Sequence, residues 1–192
     1  MMGQKELWDA FYRGNSRAWR GNSGIPIPCS GKALDVGCGN GKTVSTLLDA
    51  GFRVVGVDFS PVAIGKCEEL YPEADFLVSD ASELPFQDGS FDYVTAVHVL
   101  ENLEDGKLEK AAKELERVLA PGGYLFARCF TPDDMRSGAR GDGFFYRYFD
   151  AEGLLALFPT MEAVSSVRKD EPTRFGTVRS RAECLLRKPL RS

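Results

Sequence analysis

Between Lys32 and Phe130, short apolar strand signals take turns with helical ones, and few folds accept that order. "KALDV" (32–36) runs into glycines, and "TVSTLLDAG" (43–51) has helical apolar spacing and stops at Gly51. "RVVGVD" (53–58) is a second strand; "SPVAIGKCEELYP" follows with Ser60 as N-cap and Pro61 in the first helical position. "ADFLVSD" (74–80) and "FDYVTAV" (91–97) are the next strands. "KLEKAAKELERVL" (107–119) gathers Leu108, Ala111, Ala112, Leu115, Val118 and Leu119 on one helical stripe. "PGG" (121–123) breaks it before a fifth strand, "YLFARCF" (124–130). The pattern specifies an α/β domain, doubly wound around a mostly parallel sheet. In such sheets ligands bind beyond the carboxyl ends of the strands. Asp58 and Asp80, each closing a strand signal, therefore belong to the same crevice as the glycines after Val36.

The flanks are read as parts of one domain spanning 1–192, a length suited to one core. Residues 1–31 form an N-terminal helical lid and residues 32–130 the cofactor-binding core. Residues 131–192 supply a loop, a short helix over "AEGLLALFP" (151–159) and two antiparallel strands, 162–170 and 177–188. No apolar run approaches the ~20 residues of a membrane span, and the first residues lack a signal-peptide core; a cytoplasmic protein is expected. Five scattered cysteines and a single histidine assemble no zinc-ligand spacing, so no metal is expected. The net charge of −4 is uneven. Residues 1–127 carry 12 basic and 19 acidic side chains, whereas 128–192 carry 12 and 9, with ten arginines. That basic third is either a solvated face or a landing site for an anionic substrate or RNA.

"LDVGCGNGKT" (34–43) decides the ligand class. A triphosphate loop needs a glycine five residues before its Gly-Lys-Thr glycine, and that position holds Val36. A dinucleotide loop needs Gly-x-Gly-x-x-Gly, and here the third glycine comes one place early, although Asp58 stands where the ribose acid is required. Gly37-x-Gly39-x-Gly41 preceded by Asp35 suits another ligand: a cation without phosphate, attracted by the carboxylate that would repel a pyrophosphate. The glycines admit close backbone approach, and the following helix N-terminus favours a carboxylate on the ligand.

"DVGCGNG" resembles the first motif of class I S-adenosylmethionine-dependent methyltransferases, in particular the UbiE-like group. "SDASELPF", "FDYV" and "ELERVLAPGGYLFA" resemble that family's later motifs in the same order, across residues 32–130. The resemblance implies seven strands in the order 3-2-1-4-5-7-6 with strand 7 antiparallel. It implies S-adenosyl-L-methionine as cofactor and S-adenosyl-L-homocysteine as product. Asp35, Gly37, Gly39 and Gly41 would hold the methionyl end, Asp58 the ribose, and Asp80 with Ala81 the adenine, with Cys38, Phe59 and Val97 as further cofactor contacts.

The acceptor is less determined. Strand four exits into "VHVLENLED" without the Asn/Asp-Pro-Pro-aromatic signature of amino- and base-methylating relatives. His98 and Glu101 are the candidate catalytic residues, with packing against the cofactor or capping of a turn as the plainer roles. Tyr12, Arg17 and Trp19 of the lid, His98, and Arg136, Arg140, Tyr146 and Arg147 of the loop are candidate acceptor contacts. A small-molecule acceptor is expected. A narrower similarity, carried by "DVGCGNGK", "LPFQDGSFDYV", Arg17-x-Trp19 and "FYRYFDAEGLLALF", is to tRNA wobble-uridine carboxymethyl O-methyltransferases, which implies tRNA and a small activator subunit as the alternative. Two rivals of other classes are a nicotinamide-dependent oxidoreductase, disfavoured by the shortened loop, and a non-catalytic cofactor-binding module.

Overall fold

The computed structural model describes residues 3–14, 23–138 and 141–190. Its central strand, β1 (Lys32–Val36), has Ala33, Leu34, Asp35 and Val36 buried, as a strand covered on both faces must. Parallel neighbours follow on either side: β2 (Arg53–Asp58) and β4 (Phe91–Val97), then β3 (Asp75–Val78) and β5 (Leu119–Phe130). The last two strands are β6 (Glu162–Pro172) and β7 (Val178–Arg187), and β7 runs antiparallel to both β5 and β6. The seven-stranded order is β3-β2-β1-β4-β5-β7-β6, as the family resemblance implied.

Each sheet face has its own core. On one, α2 (Lys42–Asp49) and α3 (Pro61–Leu70) pack Val44, Leu47, Ile64 and Cys67 against Ala33, Val54 and Phe126. On the other, the expected stripe of α4 (Lys107–Val118) and Leu154 of α5 (Ala151–Leu155) pack against Leu34, Val94 and Leu125. Ser60 accepts a bond from the Ala63 N–H at 3.2 Å with Pro61 next to it, so α3 starts where the sequence says. The remaining helix, α1 (Gln4–Gly14), packs against α3.

Four expectations about extent are corrected. Pro121–Gly123 do not separate helix from strand; β5 begins at Leu119 and contains them. A side chain on Gly123 would approach the Ala120 and Asp92 carbonyls to 2.9 Å, and the β4–β5 register shifts beside it, so the glycines let the strand kink and continue. β3 stops at Val78, leaving Asp80 two residues beyond the strand. The helix expected over 151–159 ends at Leu155, where Leu157 and Phe158 donate to Leu154 and Leu155 in tight turns before Pro159. A 3-10 turn, Leu100–Asn102, follows β4 where no element was expected.

Candidate cofactor and acceptor site

The loop after β1 is pinned from behind: the Gly37 and Cys38 N–H groups both donate to the Val57 carbonyl, at 2.8 and 3.0 Å. Gly37 (φ 69°) and Gly39 (φ 54°) take left-handed conformations. A Cβ on Gly37 would lie 2.7 Å from Val99, and one on Gly39 would lie 3.0 Å from the Tyr12 hydroxyl. Glycine is thus required at both positions, because Val99 and the Tyr12 ring close on the loop backbone where any side chain would stand.

Two buried carboxylates stand beside it. Asp58 accepts from Gly39 N–H at 3.0 Å and Ser60 N–H at 2.9 Å. Burial raises its carboxyl to about 6 against those bonds. Asp35 accepts from the Thr95 hydroxyl at 2.7 Å through Oδ1, while its buried Oδ2 has no partner among the described residues. Burial raises Asp35 to about 7, the Thr95 bond opposes it, and the charge on Asp58 adds to it. An orphaned carboxylate oxygen behind the glycine loop fits an ammonium-bearing ligand and does not fit a phosphate. The residues present therefore suit S-adenosylmethionine.

A cavity of about 600 Å³ opens from this loop. Of the expected cofactor residues, Gly37, Asp58, Phe59, Asp80 and Ala81 line it. Asp35, Cys38, Gly39, Gly41 and Val97 are not among the lining residues; Cys38 is buried against Gly56, Gly39 faces the Tyr12 hydroxyl, and Gly41 sits under Tyr71 and Cys67. Asp80 receives Lys107 at 2.7 Å and both the N–H and hydroxyl of Ser82, at 2.9 and 2.7 Å. Burial pushes its carboxyl up, but these bonds outweigh burial and hold it below its usual value. Lys107, Val99, Asn102 and Leu103 complete that wall; no local signal marked them, because Lys107 reaches Asp80 from an element 27 residues away.

Helix α1 covers the opening through Trp8 and Tyr12. It is fastened at both ends: Gln4 donates to the Gly143 carbonyl at 3.0 Å and accepts from Phe145 N–H at 2.9 Å, while Lys66 donates to the Tyr12 carbonyl. Asp9 accepts from the Ser60 hydroxyl, and Trp8 packs on Phe144 at 4.6 Å. Burial, then the nearby Asp58 charge, pushes the Tyr12 hydroxyl well above its ordinary value, so it stays protonated.

At the strand-four exit, His98 is the one described non-glycine residue with positive φ, 59°. Its N–H donates to the Arg128 carbonyl at 2.8 Å, and its own carbonyl accepts from Asn102 Nδ2 at 3.0 Å. The imidazole stacks on Phe130 with centroids 4.0 Å apart and lines the cavity. Nδ1 lies 2.8 Å from Oε1 of Glu101, which is 1% exposed.

The other proposed acceptor contacts divide. Tyr12 and His98 line the cavity; Arg136, Tyr146 and Arg147 do not. Arg147 pairs with Asp105 at 2.5 Å and Arg136 with Asp134 at 3.4 Å. Arg17, Trp19 and Arg140 lie outside the described residues. Further along the arginine-rich third, Arg128 pairs with Glu183, Arg168 with Asp133 and Asp170, and Arg181 with Glu171, so acids offset much of that basic charge.

Comparison with known proteins agrees with this geometry. The family described as "Methyltransferase domain" matches residues 34–127. A demethylmenaquinone methyltransferase from Renibacterium salmoninarum is 36% identical over 128 residues, covering 64% of this chain and 52% of that protein. A 2-methyl-6-phytyl-1,4-hydroquinone methyltransferase from Synechocystis is 40% identical over 114 residues, covering 57% and 35%. The chain thus spans about half the length, or less, of these curated relatives. A solved S-adenosylmethionine-dependent methyltransferase from Methanosarcina mazei superposes with a TM-score of 0.72 at 26% identity, over 83% of this chain and 93% of that one.

Proposed function

The chain belongs to the class I S-adenosylmethionine-dependent methyltransferases, and we propose that it methylates a small-molecule acceptor in the cytoplasm. The observation that carries the reading is the pair of buried acids at the glycine loop, one with an unpartnered oxygen. When bound, S-adenosylmethionine supplies a methyl group made electrophilic by its sulfonium. In this reading Asp35 and the loop Gly37–Gly41, with Cys38 behind it, hold the ligand's amino-acid end. Asp58 and Phe59 hold the ribose, and Asp80 and Ala81, with Val97 behind the wall, hold the adenine side.

The protein's own contribution is position and exclusion. The pinned loop holds its backbone in one geometry, and α1 lines one side of the cavity through Trp8 and Tyr12, which narrows its access to bulk water. The relatives named for quinone and hydroquinone substrates, together with the apolar lining of Val36, Phe59, Val99 and Leu103, support a compact organic acceptor. All five cysteines are free, in keeping with a reducing compartment.

The test is transfer of labelled methyl from S-adenosylmethionine into a cell extract, split into small-molecule, RNA and protein fractions. Label in the small-molecule fraction is expected; label in RNA would replace this reading with the tRNA alternative. A small protein subunit is a second proposal, favoured by the edge strand β3, where Leu77 is 43% exposed and does not line the cavity. Co-purification of a stoichiometric small protein, lost in Leu77→Lys, is the expected result for that proposal.

A further inference from the structure

The strand-four exit holds a polar arrangement that cofactor binding does not use. Glu101 is buried, its Oε2 has no hydrogen-bond partner among the described residues, and its Oε1 faces His98 Nδ1 at 2.8 Å. Its surroundings are a buried thiol, Cys129, which burial and then Glu101 itself push upward, and the Arg147 N–H, which donates to the Glu101 carbonyl at 2.7 Å. Burying a carboxylate beside an imidazole and a thiol, with one oxygen left without a hydrogen bond, is costly unless the site uses its charge. The imidazole it meets is also held at a cost, at φ 59°, by Arg128, Asn102 and the ring of Phe130. With the side chain 29% exposed and lining the cavity, the ring's remaining polar atom, Nε2, makes no hydrogen bond among the described residues.

We propose that His98 is the general base of the reaction and Glu101 its positioning residue, and that the acceptor is therefore a hydroxyl compound that arrives protonated. This rests on the methyl-transfer reading above. A carboxylate only accepts, so Glu101 fixes the neutral ring's proton on Nδ1 and leaves the Nε2 lone pair toward the cavity. As the acceptor oxygen attacks, its O–H proton passes to Nε2. The new O–CH₃ bond forms as the methyl carbon–sulfur bond breaks, and that electron pair stays on sulfur as a neutral thioether. The imidazolium is stabilised by Glu101 until it returns its proton to water. An acceptor already ionised, such as a carboxylate, would need no such base.

The chain contains one histidine, so its ring nitrogens can be read without assignment ambiguity. In the protein labelled with ¹⁵N-histidine and bound to S-adenosylhomocysteine, long-range ¹H–¹⁵N spectra at high pH should show Nδ1 protonated and Nε2 bare. Glu101→Gln, whose amide can donate to Nδ1, should reverse that pattern. Both this variant and His98→Asn should bind S-adenosylhomocysteine within about twofold of the parent, asparagine being chosen because it tolerates positive φ. His98→Asn should transfer at least about 100-fold less label to the extract's small-molecule fraction. A proton on Nε2 in the parent overturns the proposal, as does His98→Asn labelling at more than a tenth of the parental rate. A parent that binds no S-adenosylhomocysteine overturns the methyl-transfer reading itself, a separate result.

Discussion

The two halves of the sheet treat buried charge in opposite ways. Beside β1 and β2, Asp35 and Asp58 are buried with no cation paired to them among the described residues, and both carboxyls are held well above their ordinary values. Beside β5 and β7, Arg128 and Glu183 are as deeply buried but meet at 2.7 Å, with Lys169 at 2.8 Å from the second Glu183 oxygen. Arg128 also donates to the Ser23 and Gly24 carbonyls at 2.7 and 3.0 Å. One half pairs its buried guanidinium with its buried carboxylate. The other is left short of positive charge, which is the condition of a site awaiting a cationic ligand. The difference teaches that removing a buried charge should have opposite signs in the two halves.

The largest effect is expected on the paired side. Glu183→Gln strands the buried Arg128 and should cost about 3 kcal/mol, lowering the melting temperature by roughly 6–12 °C, with cofactor affinity little changed in the folded fraction. Calorimetric melting with and without S-adenosylhomocysteine checks both parts.

Asp35→Asn should do the reverse. A carboxyl held near 7 in the folded chain and near ~3.9 unfolded makes the folded state bind more protons in between, so this group's contribution erodes stability as pH rises from about 4 to 7 and levels off above. The variant should melt at least about 3 °C higher than the parent at pH 8, and that advantage should shrink as pH falls towards 4. Its affinity for S-adenosylhomocysteine should fall by about 30-fold or more, the loss of a charge-assisted bond in a dry site. A melting temperature that drops at pH 8 would remove the contrast between the halves.

Asp58→Asn, whose amide oxygen can still accept one of the Gly39 and Ser60 N–H bonds, should weaken cofactor binding at least about tenfold with little loss of fold, because a buried acid without a cation is a poor source of stability. Unchanged affinity in a titration would refute the ribose assignment. The smallest effect belongs to Lys107→Ala. Its ion pair with Asp80 is half exposed, so stability should change by less than ~1 kcal/mol, and binding by only a few-fold.

How much was legible in the sequence follows the same division. The alternation of strands and helices, the glycine loop and its two acids rest on short-range patterns, the strand order follows from the family resemblance those patterns carry, and Ser60-Pro61 marks the start of α3 where the structure has it. What lay beyond reach depends on contacts across long stretches of chain. Lys107 meets Asp80, Gln4 meets Phe145, and His98 stacks on Phe130, with nothing local to announce any of them. The loop arginines were read as an anion-binding supply because residue type is visible in a sequence and pairing is not; Asp105 and Asp134 accompany Arg147 and Arg136. Pro121–Gly123 misled for a related reason. Helix and turn chemistry is local, but tolerance of a kink inside β5 depends on Asp92 and the partner strand.

The strand order also constrains how the molecule is made. β6 touches the sheet only through β7, which is synthesised after it and inserts between β6 and β5. While translation proceeds, β5 therefore keeps an open flank and β6 has no place to dock. Lys188, directly behind β7, then sets its ammonium on the Glu116, Arg117 and Leu119 carbonyls, joining the newest stretch of chain to the end of α4. Everything that builds the glycine loop has left the ribosome long before that junction closes, so the nascent chain can assemble its ligand-binding half while the other half still waits for its middle strand.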